Sequence, residues 1–126
     1  MLVLDASPEI RTRLAAMLGE AGTMEVHEAA DTATMFRTLE STAIDVVVMD
    51  VHLPNEVGLN VLRTVRGRCP RIISIVLTNE ASEHHRRECM SHGADYFFDK
   101  SRHFERAVSV ISSLATLLSR RMTRRS

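Results

Sequence analysis

The amino-acid sequence predicts an α/β protein with a five-stranded, doubly wound parallel sheet and five helices. Two β-branched runs, IDVVVMD at 44–50 and IISIVLT at 72–78, are too short and too uniformly apolar for surface helices, and they indicate strands buried on both faces. Helical patterns alternate with the predicted strands along the chain. Because each return crossover between parallel strands places a helix on the sheet, this alternation predicts helices on both faces.

The first half of the chain contains five predicted elements. In order, they are a strand at 2–4, a helix that begins after Ser7 and ends at Gly22, a weak strand at Met24 and Val26, a helix capped by Asp31, and the strand at 44–50. Ser7 and Pro8 supply the first helix with an N-cap and a proline at its first position.

The second half of the chain continues the alternation. A loop at 52–58 leads into a helix with Leu59, Leu62 and Val65, which Gly67 and Pro70 end. The strand at 72–78 follows, and then a polar helix from Ser82 to His92 that Gly93 ends. A strand at 96–99 and a helix from about 102 complete the order. The last helix has the most regular apolar stripe.

The composition argues against several classes of protein. The 126 residues suit one ordinary domain, and sixteen acidic residues balance sixteen Lys and Arg, so a globally basic nucleic-acid binder is not expected. The longest apolar runs fall short of the roughly 20 residues that a membrane span needs, and the first residues predict a strand where a signal peptide would lie. We therefore expect a cytoplasmic protein without membrane contact.

Polar side chains follow four of the five predicted strands. They are Asp5, Asp50, Thr78 and the pair Asp99-Lys100. Because the carboxyl ends of parallel strands meet at one edge of a sheet, where ligands bind, we expect these side chains to share one site. Lys100 is also the only lysine in the chain.

These residue types suit phosphoryl chemistry. Two facing carboxylates, Asp5 and Asp50, repel unless a cation separates them, and Mg²⁺ prefers such oxygen ligands. The compact ammonium of Lys100 can pair with a carboxylate at rest and with a phosphoryl oxygen later. An aspartate can also attack phosphorus to form an acyl phosphate, with a hydroxyl such as that of Thr78 donating to the phosphoryl group.

The motifs that surround these residues resemble those of the response-regulator receiver domains of bacterial two-component signalling. They are DVHLPNEVG at 50–58 preceded by VVVM, then VLT ending at Thr78, then GADYFFDK ending at Lys100. The resemblance runs from Leu2 to about Leu118 and implies a flavodoxin-like fold. We expect a stand-alone receiver domain at 1–119, followed by a basic tail at 120–126.

The resemblance implies a role for each matching residue. Asp50 would accept the phosphoryl group from a histidine kinase or a histidine phosphotransfer protein. Mg²⁺ would be held by Asp5, Asp50 and the backbone carbonyl of His52. Thr78 and Lys100 would bind phosphoryl oxygens. The protein would then be a phosphoacceptor, with at most self-catalysed phosphotransfer and dephosphorylation, and not an enzyme that acts on other molecules.

The resemblance also implies an output. Phe97 would be the aromatic residue whose rotamer follows the state of Thr78. The surface of the fourth helix, the fifth strand and the fifth helix would then bind a downstream protein or a second copy of the chain. The fourth helix is mostly polar and has few apolar residues to bury. Such an element is expected to have low local stability and to be able to shift.

Three positions depart from the family pattern. Ala6 stands where receivers carry a second acid that touches the metal, so Mg²⁺ should bind more weakly unless Asp5 or Glu56 moves into the gap. Asn79 stands where a small residue is usual, and its amide could crowd the donor or bind the phosphoryl group. Ser101 replaces a proline, which removes an expected cis bond.

These departures keep a second hypothesis open, namely a degenerate receiver that acts as a phosphorylation-independent adaptor. A titration with Mg²⁺ would distinguish the two, since an adaptor should not respond near Asp50. A phosphatase or hydrolase would need a second catalytic acid close to the nucleophile. Val51 and His52 follow Asp50, so that acid is missing.

Two further patterns have simpler interpretations. His85, Cys89 and His92 share one helical face and could in principle bind a transition metal, but a face that covers the sheet is the preferred interpretation. Cys69 and Cys89 lack a C-x-x-C spacing and are expected to be reduced. The arginine-rich segment 120–126 is interpreted as a frayed, solvated helix end rather than an arm that binds nucleic acid or an acidic partner.

Overall fold

The computed structural model of the protein describes residues 1–5, 7–19, 25–53 and 56–125, with the backbone alone for 19, 56 and 119–125. The strands are β1 (Leu2–Leu4), β2 (His27–Ala29), β3 (Val46–Met49), β4 (His52–Leu53), β5 (Glu56–Val57), β6 (Ile73–Thr78) and β7 (Tyr96–Asp99). Five of them form one parallel sheet in the order β2-β1-β3-β6-β7, and β4 and β5 form a separate antiparallel pair.

Five helices accompany the sheet in the described part of the chain. They are α1 (Pro8–Gly19), α2 (Thr32–Ser41), α3 (Gly58–Arg68), α4 (Glu83–Ser91) and α5 (Phe104–Arg125). The predicted fold class, a doubly wound α/β sheet with five helices, is confirmed. Across the ranges that the structure describes, no helix has the length and apolarity that a membrane crossing requires.

The core consists of two apolar clusters, one on each face of the sheet. On one face, Met35 of α2, Leu62 of α3 and Cys89 of α4 pack against the strands. On the other face, Leu14 of α1 and Ile111 of α5 do so. The central strand β3 is fully buried, as its flat apolar sequence predicts, because it contributes side chains to both clusters.

The direction of the chain reverses between β1 and β3. From β1 the chain proceeds outward to the edge strand β2, then returns to β3 and continues through β6 to β7. The loops that follow β1 and β3 therefore leave the sheet in opposite directions and open a crevice at their carboxyl ends. Asp5 and Asp50, the residues that follow these two strands, lie at this crevice.

Three local predictions were wrong. The second strand is His27–Ala29 and begins after Val26, which was predicted to lie in it, because pairing with β1 and not a weak apolar alternation decides where the strand lies. The segment predicted as a loop at 52–58 contains β4 and β5. Helix α3 passes through Gly67 and ends at Arg68, since a single glycine costs a helix only about 1 kcal/mol.

Several predicted boundaries agree with the structure. Asp31 caps α2 by accepting a hydrogen bond from the backbone N–H of Thr34. Ser82 caps α4 in the same way through His85, and Gly93 follows the end of α4 with a φ of 115°. The predicted end of the first helix at Gly22 and the predicted strand residue Met24 lie outside the described residues.

Candidate functional site

Three strand ends bring charged side chains into direct contact. Asp5 follows β1, Asp50 follows β3 and Lys100 follows β7. The Lys100 Nζ donates hydrogen bonds to Asp5 Oδ2 and to Asp50 Oδ2, both at 2.7 Å. A single ammonium thus bridges two carboxylates that would otherwise repel each other.

Local turns hold both carboxylates in place. Asp5 Oδ1 accepts a hydrogen bond from the backbone N–H of Ser7, at 2.8 Å. Asp50 Oδ1 accepts one from the backbone N–H of His52, also at 2.8 Å. Each aspartate therefore uses one oxygen for its own turn and presents the other to Lys100.

The three charged groups are largely shielded from solvent. The side chains of Lys100, Asp5 and Asp50 are 8%, 7% and 12% exposed. Burial on its own lowers the pKa of Lys100, but the hydrogen bonds and charges of the two aspartates outweigh it and raise the pKa above its usual value. Lys100 is therefore a cation at neutral pH.

Thr78 lies beside this cluster at the end of β6. Its backbone oxygen accepts a hydrogen bond from the N–H of Lys100 at 2.8 Å, so the two residues are tied together. Its buried hydroxyl oxygen accepts from the backbone N–H of Glu80 at 3.2 Å. Side-chain hydrogen bonds thus join Lys100 to Asp5 and Asp50, whereas the Thr78 hydroxyl is hydrogen-bonded to the backbone of its own loop.

Phe97 lies on β7, three residues before Lys100. Its half-buried ring packs against the core cluster that includes Cys89. The ring of His85 on α4 meets it edge-on, with the ring centroids 6.0 Å apart. Phe97 therefore connects the strand that leads to Lys100 with helix α4.

Sequence reasoning missed a side-chain contact between the loops that follow β3 and β6. His52 Nδ1 lies 3.2 Å from Glu80 Oε1, and both side chains are exposed. The signal was present, since each of the two residues lies two positions after the polar end of one of two neighbouring strands, β3 and β6. Their side-chain contact nevertheless depends on how two loops turn, which apolar periodicity does not describe.

The donor set is compatible with Mg²⁺ but sparse. Two carboxylates lie within 2.7 Å of one nitrogen, and Mg²⁺ is commonly held by one or two carboxylates together with waters. Among the side chains that the structure describes, no group of three or more His, Cys, Asp or Glu could hold a metal ion. Ala6 lies outside the described residues, and nothing is described of the Glu56 side chain.

His85, Cys89 and His92 on one face of α4 do not form a metal-binding group in the part of the chain that the structure describes. Cys89 is instead fully buried in the core, as the preferred interpretation of this face requires. Burial raises the pKa of its thiol to about 11, with a smaller contribution from the charge of Glu88. Both cysteines are free thiols, as predicted.

The chain matches the sequence model of the response regulator receiver domain over residues 1–112. It belongs to this family. Among curated relatives, the PhoP transcriptional regulatory protein of Escherichia coli is 28% identical over 114 residues, which are 90% of this chain and 51% of PhoP. The CAI-1 autoinducer sensor kinase/phosphatase CqsS of Vibrio cholerae is 39% identical over 67 residues, 53% of this chain and 10% of CqsS. The receiver chain thus spans about half the length of PhoP.

Solved receiver structures have the same fold. The response regulator protein TrrA from Thermotoga maritima, in complex with Mg²⁺ and BeF, is 29% identical with a TM-score of 0.76, covering 90% of this chain and 96% of that one. A CheY-like receiver from Methanospirillum hungatei has a TM-score of 0.82 at 21% identity, covering 95% of both chains. A beryllofluoride-activated NtrC4 receiver dimer has a TM-score of 0.81 at 24% identity, covering 94% of this chain and 96% of that one.

Proposed function

We propose that this receiver domain accepts a phosphoryl group on Asp50 from the phosphohistidine of a histidine kinase or a histidine phosphotransfer protein. The observation that carries the proposal is the bridge of Lys100 to Asp5 and Asp50, at 2.7 Å each. The bridge places a cation beside the nucleophile at the crevice of a doubly wound sheet, where ligands bind. Membership of the receiver family supports the same reaction.

In the proposed reaction, a carboxylate oxygen of Asp50 attacks phosphorus as the phosphorus–nitrogen bond of the donor breaks. The leaving imidazole keeps the electron pair, and the product is an acyl phosphate on Asp50. The ammonium of Lys100 then exchanges its bond to Asp50 for a bond to a phosphoryl oxygen, which offsets the added charge. The hydroxyl of Thr78 donates a hydrogen bond to another phosphoryl oxygen; its O–H is available for this because the hydroxyl oxygen only accepts from the N–H of Glu80.

Mg²⁺ fits this site through the carboxylates of Asp5 and Asp50 and the backbone carbonyl of His52. When bound, the ion would neutralise charge on the phosphoryl oxygens. Asp5 is well suited to this role because its Oδ1 is already held by the backbone N–H of Ser7. Among the described side chains, no group of three or more His, Cys, Asp or Glu could hold a metal ion, so Asp5 and Asp50 would be the only carboxylate ligands described at this site and the affinity for Mg²⁺ is expected to be low.

The switch proposed for this domain connects the site to a protein-binding face. Phosphorylation adds about two negative charges at neutral pH and draws Thr78 inward. Phe97 then turns into the vacated space and leaves its contact with His85 of α4. The face formed by α4, β7 and α5 would in this way become selective for a downstream protein or for a second copy of the chain. We further propose a cytoplasmic receiver domain at 1–119 with a basic tail at 120–126.

Intact-mass spectrometry tests the reaction. Incubation with Mg²⁺ and acetyl phosphate should add one phosphoryl group to the protein, and Asp50→Asn should abolish the adduct. Asp31→Asn is a matched control, because asparagine also caps helices and Asp31 lies at the start of α2. An adduct that persists in Asp50→Asn, or no adduct on the unaltered protein at any Mg²⁺ concentration, would refute the proposal.

A second candidate function is the phosphorylation-independent adaptor. The observation that favours it is the small number of metal-binding side chains at the site in the part of the chain that the structure describes. A titration with Mg²⁺, followed by backbone amide NMR, separates the two functions. Shifts of the amides after β1 and β3 in the millimolar range support the phosphoacceptor, and unchanged amides support the adaptor.

A further inference from the structure

We propose that Asn79 and Ser101 are positioning residues for the phosphoryl-accepting site, which hold Lys100 where its ammonium reaches both carboxylates. This inference rests on the proposed function. The structure pairs the two residues directly, since the Ser101 hydroxyl donates a hydrogen bond to Asn79 Oδ1 at 2.9 Å. This single contact joins the loop after β6 to the loop after β7.

The bond between Ser101 and Asn79 lies just beyond the last backbone hydrogen bond between β6 and β7. In the pairing of β6 with β7, Thr78 lies opposite Asp99, and the N–H of Lys100 then donates to the oxygen of Thr78. One residue farther along each loop, the side chains of Asn79 and Ser101 meet. The bond therefore ties the two loops together where backbone pairing ends.

Lys100 lies between these ties. Its own N–H is bonded to Thr78, and the following N–H, that of Ser101, donates to Asp99 Oδ1 at 2.8 Å. The hydroxyl of Ser101 fixes the outer side of the turn through Asn79. A long lysine side chain has many rotamers, and ordering them costs conformational entropy. A fixed backbone on both sides of Lys100 reduces the entropy that is lost when the ammonium binds the two carboxylates.

The same pair also lines a cleft that reaches Lys100. The cleft has a volume of about 460 Å³, and Arg13 and Arg102 are among its other lining residues. Loss of either polar side chain would widen this cleft, which Lys100 also lines. Because Asn79 and Ser101 are themselves exposed, their bond competes with water and should contribute little to the stability of the whole domain.

Phosphorylation kinetics test the inference. Ser101→Ala and Asn79→Ala should each lower the maximal rate of adduct formation with acetyl phosphate by about two- to tenfold, with the half-saturating donor concentration unchanged. The double variant should be no slower than the slower single variant, since the first substitution already breaks the bond. Ser101→Thr keeps the hydroxyl and should restore the rate. In a Lys100→Ala background, Ser101→Ala should have no further effect.

A purely structural role predicts different results. In that case both substitutions would lower the melting temperature, and Ser101→Ala would slow the reaction equally with and without Lys100. The inference would also be overturned if the fold-reductions in rate of the two single variants multiplied in the double variant, or if Ser101→Ala left the rate unchanged. If the unaltered protein forms no adduct, the proposed function fails and a measurement that needs no phosphoryl donor is required.

The single lysine of the chain makes such a measurement possible. Labelling with lysine that carries ¹⁵N at Nζ gives one side-chain ammonium signal, that of Lys100. At fixed pH, its protons should exchange slowly with water in the unaltered protein and in Ser101→Thr, because two hydrogen bonds protect them. They should exchange several times faster in Ser101→Ala and Asn79→Ala. Equal exchange in all four proteins would refute the positioning role, whatever the phosphorylation assay shows.

Discussion

At the scale of single residues, the site depends on the shape of one cation. The chain has sixteen basic residues, and only Lys100 is a lysine. Its Nζ makes two hydrogen bonds of 2.7 Å from one atom while the side chain stays 8% exposed. A guanidinium is a broad planar fork with five donors, so it would leave donors unpaired or push the two carboxylates apart.

Replacement of this lysine by arginine should therefore be costly. We expect Lys100→Arg to lower the rate of adduct formation at least tenfold while the domain stays folded, because the charge is kept but the two short contacts are not. Intact-mass time courses measure the rate, and circular dichroism measures the fold. Arg102→Lys, a change in the opposite direction two residues away on an exposed loop, is the matched control and should leave the rate unchanged. Equal rates for Lys100→Arg and the unaltered protein would show that the compact ammonium is not required.

The sequence was enough to predict that Asp5, Asp50 and Lys100 lie close together, because each follows a strand and parallel strands end at a common edge of the sheet. The functional roles of these residues stay predictions until the adduct is measured. The partner of the Thr78 hydroxyl and the bond between Asn79 and Ser101 were not predictable in the same way. They depend on loop conformation, and loops carry no repeating apolar pattern.

At the scale of secondary-structure elements, the start of α3 is set by close approach of backbones. A Cβ added to Gly58 would lie 1.9 Å from the backbone oxygen of Val51, so no larger residue fits there without movement of the backbone. This contact holds the loop after Asp50 against the first turn of α3. Gly67, near the end of the same helix, has nothing within 4 Å of such a Cβ.

These two glycines give a matched pair of substitutions. Gly58→Ala should destabilise the domain by about 1–3 kcal/mol, because the backbone must shift to relieve the overlap. Gly67→Ala should stabilise it by up to about 1 kcal/mol, because alanine is the better helix former. Urea unfolding followed by circular dichroism measures both free energies. The steric argument would be wrong if Gly58→Ala were as stable as Gly67→Ala.

The elements differ in how well the sequence predicts them. The buried strands β3 and β6 are predicted within two residues at either end, because their flat apolar runs have few alternative structures. Strand β2 has the sequence HEA, which carries no strand signal, and only its pairing with β1 defines it. The short pair β4 and β5 is likewise defined by pairing and not by sequence pattern.

At the scale of the whole molecule, two buried groups couple stability to alkaline pH. Burial raises the pKa of Cys89 to about 11 from an ordinary value of 9.0. The two aspartates raise the pKa of Lys100 above 10.5 against the effect of burial. In both cases the folded state binds the proton more tightly than the unfolded state does. The resulting stability is fully present below the ordinary pKa and is lost as the pH rises through the folded-state pKa.

The free energy of unfolding should therefore fall between pH 9 and pH 11. Urea unfolding at pH 7, 9 and 10.5 measures this slope. Cys89→Ala should reduce the slope, since it removes one of the two groups, although a cavity lowers its stability at every pH. Cys69→Ala, at the half-buried cysteine, is the control and should keep the slope. The thiol would be excluded as a cause if Cys89→Ala and Cys69→Ala showed equal slopes.

The left-handed turn at Gly93 has a consequence for how α4 can move. A Cβ at Gly93 would lie 2.9 Å from Arg66 Cβ, and Arg66 Nη1 lies 3.7 Å from Asp95 Oδ1 just beyond the turn. The carboxylate of Asp95 also holds the N–H of Ser74 at the beginning of β6. The carboxyl end of α4 is thus anchored to α3 and to the sheet, whereas its first turn is held by the Ser82 cap and by the edge-on contact of His85 with Phe97. If phosphorylation breaks the contact with Phe97, we expect α4 to pivot near Gly93, with the largest displacement at Ser82, on the loop that carries Asn79.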